Sequence, residues 1–412
     1  MILVTQIGAR RHYAVPAALE QAGLLTGLST DVCMAAPWLR MLGKVLTKSC
    51  PLPGWKSLSG REPVGVPDQK VTCLWSSPWA MRSHRQHAGQ GGQYARWAIQ
   101  NAAFGRAVVQ RGFGPAKAVY AFNAAAVEIF EAAKAQGLKC ILDMTIAPLE
   151  VIESLLAEER KRFPNLEIES QTSDPPDALI ARERREWELA DLILCGSEYV
   201  QESLTEVGVE KSKCRVVRWG YSGPSAETDR SQHSGPLKVL IAGTVELRKG
   251  VQYVLQATKL LPAERFQFRC VGPLRFDPRQ LPERCTREIP STGMAIKFAG
   301  PVPRSEMTLE YQNADVLLHP SLAEGSANVC YEAMAHGLPV IATPNAGSAI
   351  TDGVEGVIIP IRDPDAITSA LLRLRDDKDL RLRMGEAARQ RAATLTIEQY
   401  QVQLAQAVRE IL

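Results

Sequence analysis

Residues 314 to 342 constrain this chain more than any other stretch. An apolar run, Ala314-Asp315-Val316-Leu317-Leu318, reads as a short buried strand, and a second run, Leu338 to Ala342, reads as another. Between them lie a loop of small residues and a compact helix that starts near Ala327 or Asn328 and carries Val329 and Met334. Glu324 and Glu332 stand eight residues apart with the helix start between them, so they do not share one continuous helix face. Glu324 falls just before the helix and Glu332 about one turn inside it. Both can then face one cleft at different depths.

That layout suits a phosphorylated sugar donor. The backbone N–H groups of Ser326, Ala327, Asn328 and Val329 lie at a helix N-terminus, where the partial positive charge favours an anion. Small residues such as Gly325 let a ligand approach the backbone. Glu332 can accept hydrogen bonds from ribose hydroxyls, and Glu324 can reach a sugar.

Glu324 and Glu332, followed by Ala333-Met334-Ala335, Gly337, Pro339-Val340 and Thr343, resemble the E-(seven residues)-E signature of the retaining, nucleotide-sugar-dependent glycosyltransferases of family 4, the group 1 glycosyltransferases. The resemblance implies an α/β chain of two Rossmann-like domains facing a central cleft, the arrangement called GT-B. It is firm from Leu237 to about Arg362 and loose over the first half. In such proteins the loop after the first strand of the second domain holds the donor diphosphate, here Gly243 to Gly250. Lys249 matches the family's lysine before the final glycine. Thr244 stands where the family has an arginine, and Arg248 is placed to compensate. By the same resemblance the backbone at Val302 binds the base, with Arg275 nearby, and Glu324 orients the sugar.

The order of the chain agrees with two domains. At 412 residues it is too long for one ordinary core. Ile2 to Ile7, the turn at Gly8 and a helical pattern through Leu19 form a Rossmann-like opening unit, in which Gly8 would let backbone approach the diphosphate. Arg10, Arg11 and His12 follow as cleft-facing candidates on the acceptor side. Asp143 ends the strand Lys139 to Met144 and is a further acceptor candidate, or a structural cap. Ser197, after Leu192 to Cys195, reads as a helix cap without a catalytic part. The expected division is residues 1–221 for acceptor binding, a polar linker at 222–236, residues 237–395 for the nucleotide-sugar, and a last helix in 396–412 that returns to the first domain.

Composition excludes several classes. Hydrophobic content of 45% and charged content of 23% describe a globular chain. No apolar run approaches the roughly 20 residues of a membrane span, so a cytoplasmic protein is expected. The nine cysteines include no C-x-x-C pair, and free thiols are expected, with Cys33, Cys73, Cys140, Cys195 and Cys270 ending strand-like runs. Residues 1–120 carry fourteen Lys or Arg against four Asp or Glu, which points to an anionic partner. No nucleic-acid signature accompanies that charge. Ala35 to Leu46 has the composition of a basic amphipathic helix, and Trp38, Trp55, Trp75, Trp79 and Trp97 add to a picture of contact with the inner face of an anionic membrane. Ser49 to Gly92 reads as an irregular insertion beside the acceptor. No metal cluster has ligand spacing, and Asp363-Pro364-Asp365 sits at a helix start as a cap.

The expected function is transfer of a hexose from a nucleotide-diphospho-sugar to a saccharide or lipid-linked saccharide, without a metal or other cofactor. A sugar-nucleotide epimerase of the same fold and a non-catalytic nucleotide-sugar-binding subunit are the alternatives.

Overall fold

Runs of Val, Ile, Leu and Ala that are apolar throughout suit strands covered on both faces, and this chain has two sets of them. The computed structural model describes residues 1–34, 61–74, 92–168, 175–221, 223, 228–281, 285–286 and 296–412. The expected amphipathic helix at Ala35 to Leu46, Trp38, Trp55, Trp75, Trp79 and most of the 49–92 insertion lie outside these residues.

The first sheet contains β1 (Ile2–Gln6), β2 (Leu25–Thr30), β3 (Val71–Cys73), β4 (Ala118–Phe122), β5 (Lys139–Met144), β6 (Leu192–Cys195) and β7 (Cys214–Val216). The second contains β8 (Leu237–Ala242), β9 (Phe266–Val271), β10 (Cys285–Thr286), β11 (Ile296–Gly300), β12 (Val316–His319), β13 (Val340–Ala342) and β14 (Gly356–Ile358). Each is a seven-stranded sheet, in the orders β3-β2-β1-β4-β5-β6-β7 and β10-β11-β9-β8-β12-β13-β14. All the pairings are parallel. The strand order therefore reverses beside β1 in one lobe and beside β8 in the other. Ligands of doubly wound sheets bind at the carboxyl ends of strands at such a reversal.

The chain passes between the lobes more than once. Tyr221 and Thr396 form a parallel bridge, and Tyr221 N–H donates to the Leu395 carbonyl at 2.8 Å, so an outgoing and a returning segment run side by side. A Cβ on Gly220 would lie 2.1 Å from the Thr396 carbonyl oxygen, which leaves room only for glycine. Beyond this crossing the helix Ile397–Arg409 buries Tyr400, Leu404 and Val408 in the core of the first lobe. A second tie is the helix Leu149–Arg162: its sequence lies between two strands of the first sheet, yet Leu156, Phe163 and Leu166 pack on the core of the second. Within residues 222–236, Arg230 is buried and donates to the carbonyls of Ala314, Tyr311 and His336.

The cysteine expectation is overturned in part. Cys33 and Cys73 form a disulfide, with Cα atoms 6.2 Å apart. Thr30 pairs with Cys73 across β2 and β3, and Cys33 follows β2 by three residues, which brings the two thiols together at one sheet edge. Cys140, Cys195, Cys214, Cys270 and Cys330 are free and buried. No helix among the described residues is long and apolar enough to cross a membrane.

Candidate functional site

Gly243 follows the end of β8, and the chain then loops through Thr244 to Gly250. Gly250 has φ +71°, and a Cβ there would lie 1.9 Å from the Pro320 carbonyl oxygen. Only glycine permits that approach. The loop after β8 is thereby pressed against the loop after β12, and its cations meet the carboxylate of the latter. Lys249 Nζ is hydrogen-bonded to Glu324 Oε1, and Arg248 Nη1 lies 3.0 Å from the same oxygen. Ser321 Oγ donates to it at 3.0 Å, and His319 Nε2 stands 3.8 Å away. Burial alone would raise the Glu324 carboxyl; Lys249, then His319 and Arg248, overcome it and hold the group well below the usual carboxylate range. Arg248 also donates to the Ala323 carbonyl at 2.9 Å and to Glu246 at 2.7 Å. Thr244 carries none of these contacts.

The helix predicted near Ala327 runs Asn328–Ala335, with Ala327 as its cap position. One expectation fails here. Ala327 N–H donates to the Ala346 carbonyl at 3.1 Å and is not open to a ligand. The N–H groups of Ser326, Asn328 and Val329 have no hydrogen bond among the described residues. Glu332 lies one turn inside, and Tyr311 Oη donates to its Oε2 at 2.6 Å. Burial, and after it the Glu332 charge, push the Tyr311 hydroxyl well up, so it stays a donor to this carboxylate.

A cavity of about 570 Å³ opens between the lobes. The second lobe contributes Val302, Arg304, Asn328 and Glu332, and the first contributes Arg11 and His12. Tyr221 lines it from the crossing; burial and then the Glu332 charge push its hydroxyl up to about 12. Arg304 Nη1 and His12 Nε2 are 2.8 Å apart across the opening. Burial, and then the Arg304 charge, lower the His12 pKa and favour the neutral ring that can accept this bond. The backbone of Arg275 is fixed beside the loop after β8, its N–H on the Val245 carbonyl at 2.9 Å.

The first-lobe loop is strained. Arg11, His12 and Tyr13 have φ of 49°, 50° and 61°, three consecutive left-handed residues without a glycine. Each such residue costs roughly 1–2 kcal/mol, and strain of this kind collects at functional sites. What holds the loop is visible: the Arg11 guanidinium stacks over Trp219 at 5.2 Å and Tyr400 at 5.7 Å, and reaches Asp143 at 3.1 Å. Asp143 is 1% exposed and also accepts from Tyr120 Oη. This corrects its candidacy as an acceptor contact: it is a buried counter-ion that aims Arg11. Gly8 is corrected likewise, since its N–H donates to Asp31 Oδ1 at 2.8 Å and is not offered to a diphosphate. Arg10 leans over the Phe122 ring at 5.4 Å, with Nη1 3.5 Å from Thr145 Oγ1.

Sequence reasoning missed Tyr311, His319, Ser321 and Arg304, whose part depends on strands and loops remote in sequence. Among the described residues no group of three or more His, Cys, Asp or Glu is arranged to hold a metal ion. Asp363 caps the helix Pro364–Asp376 by accepting from Ala366 N–H at 2.8 Å.

Residues 236–377 match the family model of the glycosyl transferases group 1. The chain is similar to the D-inositol 3-phosphate glycosyltransferase of Corynebacterium urealyticum, 33% identical over 180 residues, which are 41% of this chain and 42% of that one. The chain thus spans less than half the length of this relative. Two solved structures share the fold end to end. HepE of Anabaena, in complex with UDP-glucose, superposes with a TM-score of 0.62 over 100% of this chain and 99% of its own, at 15% identity. The lipopolysaccharide outer core galactosyltransferase WaaB superposes with a TM-score of 0.62 over 100% of both chains, at 12% identity. The two parallel sheets facing one cleft are the GT-B fold.

Proposed function

We propose that this chain is a retaining hexosyltransferase, moving a sugar from a nucleotide-diphospho-sugar to a saccharide or lipid-linked saccharide in surface polysaccharide or lipopolysaccharide assembly. The observation that carries the reading is the cluster of Lys249, Arg248 and Glu324 beside the open N-terminus of the helix Asn328–Ala335. The match of residues 236–377 to the group 1 family supports it, as does the UDP-glucose bound to the fold neighbour HepE.

In this reading the donor diphosphate lies against Lys249, Arg248 and the N–H groups of Ser326, Asn328 and Val329. Glu332, already oriented by Tyr311, accepts from the ribose hydroxyls. Backbone at Val302 meets the base. Glu324, neutralised by two cations, is a poor nucleophile, which supports its holding sugar hydroxyls instead. The bond from the anomeric carbon to the phosphate oxygen breaks, the acceptor oxygen bonds to that carbon on the same face, and its proton passes to the departing phosphate. Lys249 and Arg248 stabilise the charge that develops there, a role a metal ion would otherwise fill.

Arg11 and His12 take the acceptor side. The basic character of residues 1–120 and Trp97, 44% exposed, support an acceptor at an anionic membrane, the protein acting from the cytoplasmic side. Vesicle sedimentation at low salt tests that part, and indifference to anionic lipid would remove it.

The deciding measurement is a thermal-shift screen against UDP, GDP, ADP and their sugars. One base should raise the melting temperature of the wild type and fail to do so with Lys249→Ala and Glu332→Ala. No shift with any nucleotide would defeat the reading. NMR of the positive donor with and without saccharide acceptors then separates transfer from epimerisation.

A further inference from the structure

Close to Glu324 the two lobes meet at a junction built largely of backbone. Gly325 sits so near the first lobe that a Cβ on it would lie 2.0 Å from the Thr145 carbonyl oxygen. A Cβ on Gly347, in the loop after β13, would lie 2.5 Å from the Gly325 carbonyl oxygen and 2.6 Å from Ser197 Oγ. Gly196 packs against Ser326, where a Cβ would find the Ser326 Cβ at 3.3 Å. Into this junction Ser197, 1% exposed, sends its hydroxyl: Oγ donates to the Gly325 carbonyl, and the same oxygen accepts from Val200 N–H at 3.4 Å as cap of the helix Glu198–Glu206. Ser197 thus has two jobs, one of them across the cleft.

The bonded carbonyl belongs to the peptide linking Gly325 to Ser326. In a trans peptide the C=O and the N–H point in opposite directions. Fixing that oxygen therefore fixes where Ser326 N–H points, and a hydrogen bond to the carbonyl also polarises the N–H for a stronger bond to an anion. Ser326 N–H is one of the groups at the mouth of the helix Asn328–Ala335 without a partner among the described residues. We propose that Ser197 is a positioning residue of the donor site, aiming Ser326 N–H at the donor only while the two lobes are closed. The hydroxyl comes from the first lobe and the peptide from the second. Parting the lobes breaks the bond and frees the peptide to turn. Closure over a bound donor and completion of its anion site become one event. This rests on the nucleotide-sugar reading of the site.

Two variants separate the cross-cleft role from the cap. Ser197→Ala removes both, whereas Gln201→Ala loosens the same helix from β7, by removing the bond from Gln201 Nε2 to the Cys214 carbonyl at 3.3 Å, and leaves Gly325 untouched. Ser197→Ala should lower kcat with the donor by roughly tenfold or more, the scale of one lost donor to a developing charge, and should weaken binding of the free nucleoside diphosphate, which carries that charge in full, several-fold. Gln201→Ala should leave both near wild type. Hydrogen exchange supplies a readout without turnover: the amides of Ala327 and Cys330, bonded to the Ala346 and Ala327 carbonyls, should exchange faster in Ser197→Ala and not in Gln201→Ala. Unchanged kcat and unchanged exchange in Ser197→Ala would overturn the inference. So would equal effects of the two variants, which would make Ser197 only a support of this helix. If the wild type binds no nucleotide, the functional reading itself fails, and the exchange comparison still decides whether Ser197 orders this peptide.

Discussion

Arg362 Nε and Glu159 Oε1 lie 2.6 Å apart, joining the second lobe to a helix whose sequence belongs between strands of the first. Glu159 is fully buried and also accepts from Gln252 Nε2 at 2.9 Å and Tyr253 Oη at 2.8 Å. Five residues past that helix, Glu167 accepts from Leu247 N–H at 2.8 Å, in the turn that carries Arg248 and Lys249. The first lobe's arm braces the candidate phosphate loop.

Removing one partner of a buried ion pair typically costs about 3–5 kcal/mol, since the other charge is left without compensation. Glu159→Ala should therefore lower the unfolding free energy by about that amount, and Glu159→Gln by less, because an amide oxygen still accepts from Tyr253 and Gln252. Denaturant titration reads both. A Glu159→Ala loss below ~1 kcal/mol would show that the arm is not a structural tie.

Asp143 offers a split between substrates. Asp143→Asn takes away the charge that holds Arg11 over Trp219 and Tyr400, and Arg11 borders the first-lobe side of the cavity. KM for the acceptor should rise several-fold while donor affinity stays unchanged, and steady-state kinetics with each substrate varied checks this. A change confined to the donor would place Arg11 on the donor instead, and an equal change for both would contradict its assignment to the acceptor side.

The Glu324 carboxyl predicts a pH window. Its folded pKa is depressed below the ordinary 4.5, because Lys249, His319 and Arg248 outweigh burial. The unfolded chain then binds the proton first as acid is added, so the stabilisation is fully present above about 4.5 and is lost as pH falls through the folded value. Wild type and Glu324→Gln should differ by a constant amount from pH 7 down to about 5 and converge in stronger acid. A gap that widens with acid would contradict the ion-pair assignment.

The disulfide makes the fourth prediction. Cys33 and Cys73 are 40 residues apart in sequence, and closing a loop of that size stabilises by about 4 kcal/mol on the chain-entropy model. Reductant, or Cys33→Ser with Cys73→Ser, should shift the denaturation midpoint down accordingly. Peptide mapping without reductant should recover the two cysteines joined, and free thiols at both positions would refute the pairing.

What could be read from sequence was local. The strand, loop and helix from Val316 to Ala335 announce themselves through apolar runs, small residues and a shift in periodicity, all within one window. Lys249 was singled out by the resemblance of its loop to the family's and Glu324 by its place just before a helix, and that the two meet is a finding of the fold. β2 was not legible: its sequence, Leu25-Thr26-Gly27-Leu28-Ser29-Thr30, is interrupted by glycine and hydroxyl residues, and its place between β1 and β3 comes from pairing.

Tertiary structure decided the rest, through contacts between positions remote in sequence. Asp143 is a buried support and not a cleft residue because Arg11, 132 positions away, covers it. Ser197 reads as a cap until Gly325, 128 positions away, is seen to accept its proton. A hydroxyl or a carboxylate carries no mark in sequence of what will stand opposite it. Propensity and periodicity act over one or two turns of chain, whereas ion pairs, burial and a disulfide depend on which surfaces the folded sheets bring within a few ångströms.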